Sequence, residues 1–231
     1  MTRPAFALTV LVASQVVVAQ QPESWRRALT SAGVRDPRIL EVMEQVKRSD
    51  FLPRSQLPFV MEDRPLPIGH EQTTSQPSLI ALMMQDLKLQ PGCSVLEVGT
   101  GSGYQTALLA RLCTHVYSID IVEPLALEAK RRLAALGYAN AQVKAGDGYL
   151  GWPEHAPFDG IIVCAAASKV PQPLLAQLKK GGRMVIPVGE SSDSQLVVFE
   201  KDAAGKVSQV KGIPVRFVPL IGDNAERDRR N

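Results

Sequence analysis

The stretch Val95-Leu96-Glu97-Val98-Gly99-Thr100-Gly101-Ser102-Gly103-Tyr104 limits what this chain can fold into more than any other. A short apolar run ends in three glycines at alternate positions, and a helical pattern follows over 105–112. This reads as a strand, a tight glycine turn and a helix start. Glycine suits such a turn because the backbone takes φ values closed to other residues, and a ligand can approach with no Cβ in the way. The helix beyond turns its N-terminal N–H groups toward the same crevice. In an open α/β sheet, the crevice outside the carboxyl end of the first strand takes a nucleotide-like ligand. A dinucleotide fingerprint would place its third glycine at position 104, where Tyr104 stands instead.

At 231 residues the chain has the length of one domain with a full core. Its net charge of +3 gives no ground for a nucleic-acid or membrane partner. Cys93, Cys113 and Cys164 form no C-x-x-C pair and lie on or beside apolar runs, so buried reduced thiols are expected rather than a zinc site or a disulfide framework. His70, His115 and His155 are scattered without metal-ligand spacing, and no metal is expected. At the N-terminus, Arg3 precedes an apolar run over 5–18, and Val17-Val18-Ala19 could precede a cleavage site. That is the outline of a secretory signal, interrupted by Ser14 and Gln15. The run is too short for a spanning helix.

Ser24 is placed to cap a helix over 25–32 that Gly33 ends, and Asp36-Pro37 to open a second helix with Ile39, Val42, Met43 and Val46 on one face. This pair should flank the main domain or cover it as a lid. Prolines through Pro67 then exclude regular helix. The polar loop Gly69-His70-Glu71-Gln72-Thr73-Thr74-Ser75-Gln76-Pro77 runs into a helix carrying Leu79, Ile80, Leu82, Met83 and Leu87, which puts Ser75 at a helix N-terminus. Two readings stand there. Ser75 or Thr74 caps the helix, or the Ser75 hydroxyl joins the orphan N–H groups and the helix dipole in holding a carboxylate.

A second strand over 116–120 ends in Asp120, where a carboxylate can accept the ribose hydroxyls of an adenosine. Glu123-Pro124 opens the next helix. A third strand over 142–145 runs into Gly146-Asp147-Gly148, a loop suited to closing over a flat ligand or a plain turn. The apolar run over 158–164 reads as a central strand covered on both faces. A helix over 173–180 and a strand over 183–188 follow, separated by Gly181-Gly182. Strands over 195–201 and 207–218, joined by a short connection, form a hairpin and give the sheet an antiparallel member. The tail with Arg227, Arg229 and Arg230 should fray.

The pattern Glu97-x-Gly99-x-Gly101-x-Gly103 resembles motif I of the S-adenosylmethionine methyltransferases. With Leu66-Pro67-Ile68-Gly69, Gln72-Thr73, Ser75-Gln76-Pro77, Gly146-Asp147-Gly148, Ile186-Pro187-Val188-Gly189 and Phe217-Val218-Pro219-Leu220, the chain resembles the protein-L-isoaspartate (D-aspartate) O-methyltransferase family. It departs from the family pattern where Glu71 replaces a usual glycine, Thr74 a usual isoleucine, Lys47 a common proline and Cys164 a common threonine.

The resemblance implies an α/β fold: a Rossmann-like, doubly wound, mostly parallel sheet with helices on both faces and an antiparallel C-terminal strand. It divides the chain into an apolar extension or signal peptide (1–23), a methyltransferase domain (24–222) and a charged tail (223–231). Within the domain, 24–75 holds the helical and substrate-loop region and 76–222 the core. The implied reaction moves the methyl group of S-adenosyl-L-methionine to the α-carboxyl group of L-isoaspartyl residues in damaged proteins, which return through a succinimide toward aspartyl. Ser75 matches the active-site serine of the family. Thr73, Thr74, Glu97, Gly99, Gly101, Ser102, Gly103, Asp120, Asp147 and Gly148 are the implied cofactor residues, with Asp147 at the adenine amino group. A monomer acting on damaged proteins in the cytoplasm is expected, with no nucleic-acid or membrane partner; a periplasmic or exported protein is the alternative if the N-terminal run is a signal. The alternatives in function are a methyltransferase for another carboxylate or small molecule, and a nucleotide-binding oxidoreductase.

Overall fold

A computed structural model describes residues 22–190 and 192–230; the apolar run over 5–18 lies outside them. Two helices come first, α1 (Pro22–Ser31) and α2 (Pro37–Gln45). α1 starts at Pro22 and not after Ser24, because the first turn of a helix has no use for the N–H that proline lacks. Asp36 caps α2 as expected, its carboxylate accepting from Arg38 N at 2.9 Å. Trp25, Leu29, Ile39, Val42 and Met43 share one core with the helices that follow, so the pair flanks the sheet. In the proline-rich passage the chain forms two short 3-10 turns, Arg48–Phe51 and Arg54–Phe59. A hairpin of β1 (Leu66–Gly69) and β2 (Gln72–Thr74) then leads into α3 (Pro77–Leu87).

The main unit begins with β3 (Ser94–Val98), α4 (Tyr104–Leu112), β4 (His115–Asp120), α5 (Glu123–Ala135) and β5 (Ala141–Ala145). It continues with β6 (Phe158–Val163), α6 (Gln172–Gln177), β7 (Leu178–Glu190), β8 (Asp193–Lys201), β9 (Val207–Val215) and α7 (Asp223–Arg230). Seven strands lie in the order β5-β4-β3-β6-β7-β8-β9. β3 to β7 pair in parallel, and β8 is antiparallel to both of its neighbours. From β3 the chain moves to β4 on one side and returns to β6 on the other. The order therefore reverses between β3 and β6, where an open sheet leaves a crevice at its strand ends.

Side chains alternate across the sheet. Val95 faces the core under α3 and α4, and Leu96 and Val98 face the opposite core with Ile161 and Val163. The same alternation turns Glu97 toward α4, where it is fully buried. Leu108 and Leu109 of α4 are fully buried as well, each stabilising the layer by roughly 1.5–3 kcal/mol.

Three expectations are corrected. The Gly181-Gly182 pair does not break the chain into helix and strand: α6 ends at Gln177 and β7 starts at Leu178, because Leu178 already pairs with Phe158 and an irregularity before Gly160 absorbs the extra residues. The tail does not fray at 223 but forms α7, whose Ala225 is buried in the same core as Leu220. Cys93 and Cys113 are not reduced thiols but a disulfide, with Cα atoms 4.7 Å apart at a sequence separation of 20. The strand–turn–helix unit brings its own two ends together, a proximity that sequence spacing conceals. Cys164 is a free thiol as expected.

Candidate active site

Every strand end that matters meets at the glycine turn. Gly99 leaves β3 at φ +97°, its N–H donating to Ile119 O of β4 at 2.8 Å. A Cβ on Gly99 would stand 3.1 Å from the Cys164 Cβ, so only a bare backbone passes between the ends of β3 and β6. Tyr104, in the place of a third dinucleotide glycine, is 1% exposed and packs its ring against Phe51 at 5.7 Å. The flanking N-terminal segment thus occupies the space that a glycine there would leave open.

The crevice is a cleft of about 300 Å³ lined by Thr73, Thr74, Ser75, Gly99, Gly101, Ser102, Asp120 and Gly148 among the residues expected from sequence. Asp120 ends β4 with both oxygens anchored, Oδ2 accepting from Gly101 N at 2.7 Å and Oδ1 from Val122 N at 2.9 Å. Burial pushes its carboxyl above the usual range, and the two backbone N–H groups pull it back. The carboxylate retains further lone pairs for hydroxyl donors. Gly148 lies against β3 so closely that a Cβ would come within 2.3 Å of Val98 Cγ1.

Three expected residues stand apart from the cleft wall. Glu97 lies beneath the turn and accepts from Ser118 and Thr106. Gly103 is the left-handed N-cap of α4. Asp147 turns its oxygens to Tyr149 N (2.9 Å) and Asn224 Nδ2 (2.8 Å), with Gly222 packed against the carboxyl.

Other lining residues were not assigned to the site from sequence. Gln105 and Cys164 meet in the cleft, Gln105 Nε2 donating to Sγ at 2.9 Å. Burial, with Glu97 and Asp120 nearby, pushes the Cys164 thiol far up, so it stays protonated. Ile121 and Ile221 are exposed apolar side chains at the rim. Ile221 is brought there because Ala166 of the post-β6 segment donates to Val218 O (2.8 Å) and accepts from Leu220 N (2.7 Å). The Phe217–Leu220 passage was legible only as a match to the family pattern.

A second cleft, of about 690 Å³, runs from Arg216 and Val215 past Leu79 and Leu82 to the same point. Ser75, Thr73 and Cys164 line both clefts. Ser75 does not cap α3. The N-cap is Gln76, and capping comes from Asp63, whose Oδ1 accepts from Ser78 N at 2.9 Å. Among the described residues nothing bonds the Ser75 hydroxyl.

A glycine turn at the switch point of this sheet, with an acid at the end of the next strand and Tyr104 in place of a third glycine, fits a class I S-adenosyl-L-methionine-dependent methyltransferase. The profile of the protein-L-isoaspartate(D-aspartate) O-methyltransferase family matches residues 23–225, and the chain belongs to that family. It is 54% identical over 197 residues to protein-L-isoaspartate O-methyltransferase 2 of Polaromonas sp., covering 85% of this chain and 93% of the relative. It is 52% identical over 208 residues to protein-L-isoaspartate O-methyltransferase 1 of Cupriavidus necator, covering 90% and 78%. A solved protein-L-isoaspartate O-methyltransferase superposes with a TM-score of 0.77 at 33% identity, over 90% of this chain and 69% of the other. A Plasmodium falciparum structure described as a putative protein-L-isoaspartate O-methyltransferase, in complex with S-adenosyl-L-homocysteine, gives 0.73 at 26% identity, over 86% and 97%. The chain transfers methyl groups from S-adenosyl-L-methionine to isoaspartyl residues of proteins, as the resemblance implied, and the alternatives of an oxidoreductase or another substrate class fall away.

Proposed function

We propose that Ser75 orients the isoaspartyl carboxylate where the two clefts meet, one cleft taking the methyl donor and the other the damaged peptide. The observation that carries this is the position of Ser75 in both walls, with its hydroxyl free and the capping duty discharged by Asp63. The residues fit the donor: Gly99 gives a cradle that a Cβ would fill, Asp120 offers anchored oxygens to ribose hydroxyls, and Ile121, Gly148 and Ile221 form a rim for the adenine. Asp147 shapes that rim from behind by holding Tyr149 and Asn224. Thr73 and Thr74 complete the wall beside Ser75.

When bound, the donor supplies a methyl group already activated on a cationic sulfur. The acceptor carboxylate is ionised at pH 7, so the chain needs no general base. Its task is alignment, which can be worth roughly 7–11 kcal/mol. Cys164, held as a neutral thiol, offers no competing nucleophile. The test is kcat/KM for an isoaspartyl peptide in Ser75→Ala, at a temperature where the variant is folded. A loss of about a hundredfold with cofactor affinity kept supports the reading, since misplacement by about 1 Å can cost that much; unchanged turnover overturns it.

On location, the methyl donor, made in the cytosol, favours the cytoplasm. Among the described residues no helix is long and apolar enough to cross a membrane. The Cys93–Cys113 disulfide favours the exported alternative instead, because such pairs persist in oxidising compartments. Mass spectrometry decides between them. An N-terminus near Gln20, an oxidised pair and recovery outside the cytoplasm support export; an intact N-terminus with two free thiols restores the cytoplasmic reading.

A further inference from the structure

Arg48 is a charge in the wrong place for a structural ornament. It lies in the 3-10 turn Arg48–Phe51, is 4% exposed, and among the described residues its hydrogen bonds run to carbonyls. Nη1 donates to Val60 O (3.2 Å) and Glu62 O (2.9 Å), and Nη2 to Arg64 O (3.0 Å) and, at 3.5 Å, to Ser75 O. Burial lowers the guanidinium from its ordinary value, yet an arginine remains charged at any pH the protein meets. A desolvated cation is costly unless its donors are used. Here Nη1 and Nη2 are used, mostly on an irregular segment whose carbonyls have no ladder to join, while the buried Nε has no partner among the described residues.

That segment reaches the active site a second way. Asp63 lies between the two gripped carbonyls of Glu62 and Arg64. Its Oδ1 accepts from Ser78 N at 2.9 Å and its Oδ2 from Gln76 Nε2 at 3.0 Å, which caps α3 from outside. Gln76, the N-cap itself, makes no capping bond. Arg48 therefore holds both sides of Asp63, Asp63 holds the residues just after Ser75, and Nη2 reaches the Ser75 carbonyl directly.

We propose that Arg48 is a positioning residue for Ser75: by tying the 60–64 loop to the entry of α3, it fixes where the Ser75 hydroxyl stands between the two clefts. This rests on the reading of Ser75 given above. A lysine cannot replace it, because one ammonium is a point charge, whereas the two terminal nitrogens of the planar guanidinium form a fork that spans the 60–64 loop and the entry of α3.

The full chain is compared as wild type, Arg48→Lys, Arg48→Ala, Ser75→Ala and Ser75→Ala/Arg48→Lys. Calorimetry with S-adenosyl-L-homocysteine reports the cofactor cleft, near-ultraviolet dichroism reports folding, and kcat and KM for an isoaspartyl peptide report the site. Arg48→Lys should lose about tenfold or more in kcat/KM, as a displaced orienting group does, with homocysteine-cofactor affinity unchanged. In the double variant the loss should not exceed that of Ser75→Ala alone, because one positions the other. Millimolar guanidinium should restore part of the turnover of Arg48→Ala, and ammonium at equal ionic strength should not. If Arg48→Ala does not fold, Asp63→Asn takes its place and should show the same split between turnover and cofactor affinity.

Wild-type turnover in Arg48→Lys overturns the proposal, as does a double variant whose losses multiply, or a parallel fall in cofactor affinity. Full turnover in Ser75→Ala sinks the Ser75 reading and this one with it. A normal Ser75→Ala loss beside an unaffected Arg48→Lys sinks only this one.

Discussion

Ser118 donates its hydroxyl proton to Glu97, Oγ to Oε2 at 2.6 Å, in the closed space between β4 and α4. Thr106 donates to the same oxygen, and since the Ser118 proton is committed, Thr100 must donate its own to Ser118 Oγ at 2.5 Å. Thr100, the second residue of the glycine turn, is thereby tied to the neighbouring strand β4 in a network closed by a buried acid. Burial pushes the Glu97 carboxyl up to about 7, against the hydroxyl bonds that lower it, and Asp120 adds to the rise.

A folded-state value above the unfolded one means that the native chain holds the proton more tightly. The contribution of Glu97 to stability is fully present below about pH 4.5 and is lost as pH rises through about 7. Chemical denaturation from pH 5 to 8 should show this fall, at most about 3 kcal/mol, and Glu97→Gln should remove it. An identical pH slope in the two proteins would show that Glu97 titrates normally.

Asp120 makes two bonds to backbone N–H groups and faces the cleft with what remains. Asp120→Ala strands Gly101 N and Val122 N and removes the acceptor proposed for the ribose. S-adenosyl-L-methionine affinity should fall by roughly ten- to a hundredfold, the range for hydrogen bonds to a charged group. Titration calorimetry at fixed salt measures it. Wild-type affinity would move the ribose elsewhere.

The disulfide closes the unit that carries the glycine turn, joining the start of β3 to the end of α4. Constraining a loop of this length in the unfolded chain stabilises by about 3 kcal/mol. The denaturation midpoint of the oxidised protein should fall on full reduction, and the Cys93→Ala/Cys113→Ala variant should match the reduced form while keeping its cofactor affinity. Equal midpoints with and without reductant would remove the pair from the stability of the fold.

Strand, turn and helix around Gly99 were legible because turn chemistry, apolar run and helical period agree over ten consecutive residues. Asp120 was legible because strand β4 ends on it. What stayed hidden needs contacts across the chain. No pattern in Cys93 or Cys113 announces that the two ends of one unit meet. Ser75 at a helix entry reads by position first as a cap, until Asp63, a dozen residues earlier, is seen to do the capping. Asp147 between two glycines reads as a ligand contact; that it also meets Asn224 and Gly222 from the far end of the chain leaves no trace in the sequence. Arg48 gives no signal at all, since its partners are carbonyls and carbonyls have no sequence.

Glu71 shows how two effects at one position can be separated. It forms the β1–β2 turn with His70, both in the left-handed region at φ +58° and +52°, and it lines the cofactor cleft. Two-residue hairpins of this kind favour glycine and asparagine at such angles, and a side chain with a Cβ costs roughly 1–2 kcal/mol there. The carboxylate also stands beside a site whose protein substrate is anionic. Glu71→Gly relieves both, and Glu71→Gln removes the charge while keeping the strain. The glycine variant should gain about 1 kcal/mol in denaturant unfolding, and the glutamine variant should not. Both should lower KM for an isoaspartyl peptide at low ionic strength, and the difference from wild type should shrink as salt screens the charge. A stability gain shared by the glutamine variant would assign the effect to charge, and an unchanged KM in both would place the Glu71 carboxylate out of reach of the substrate.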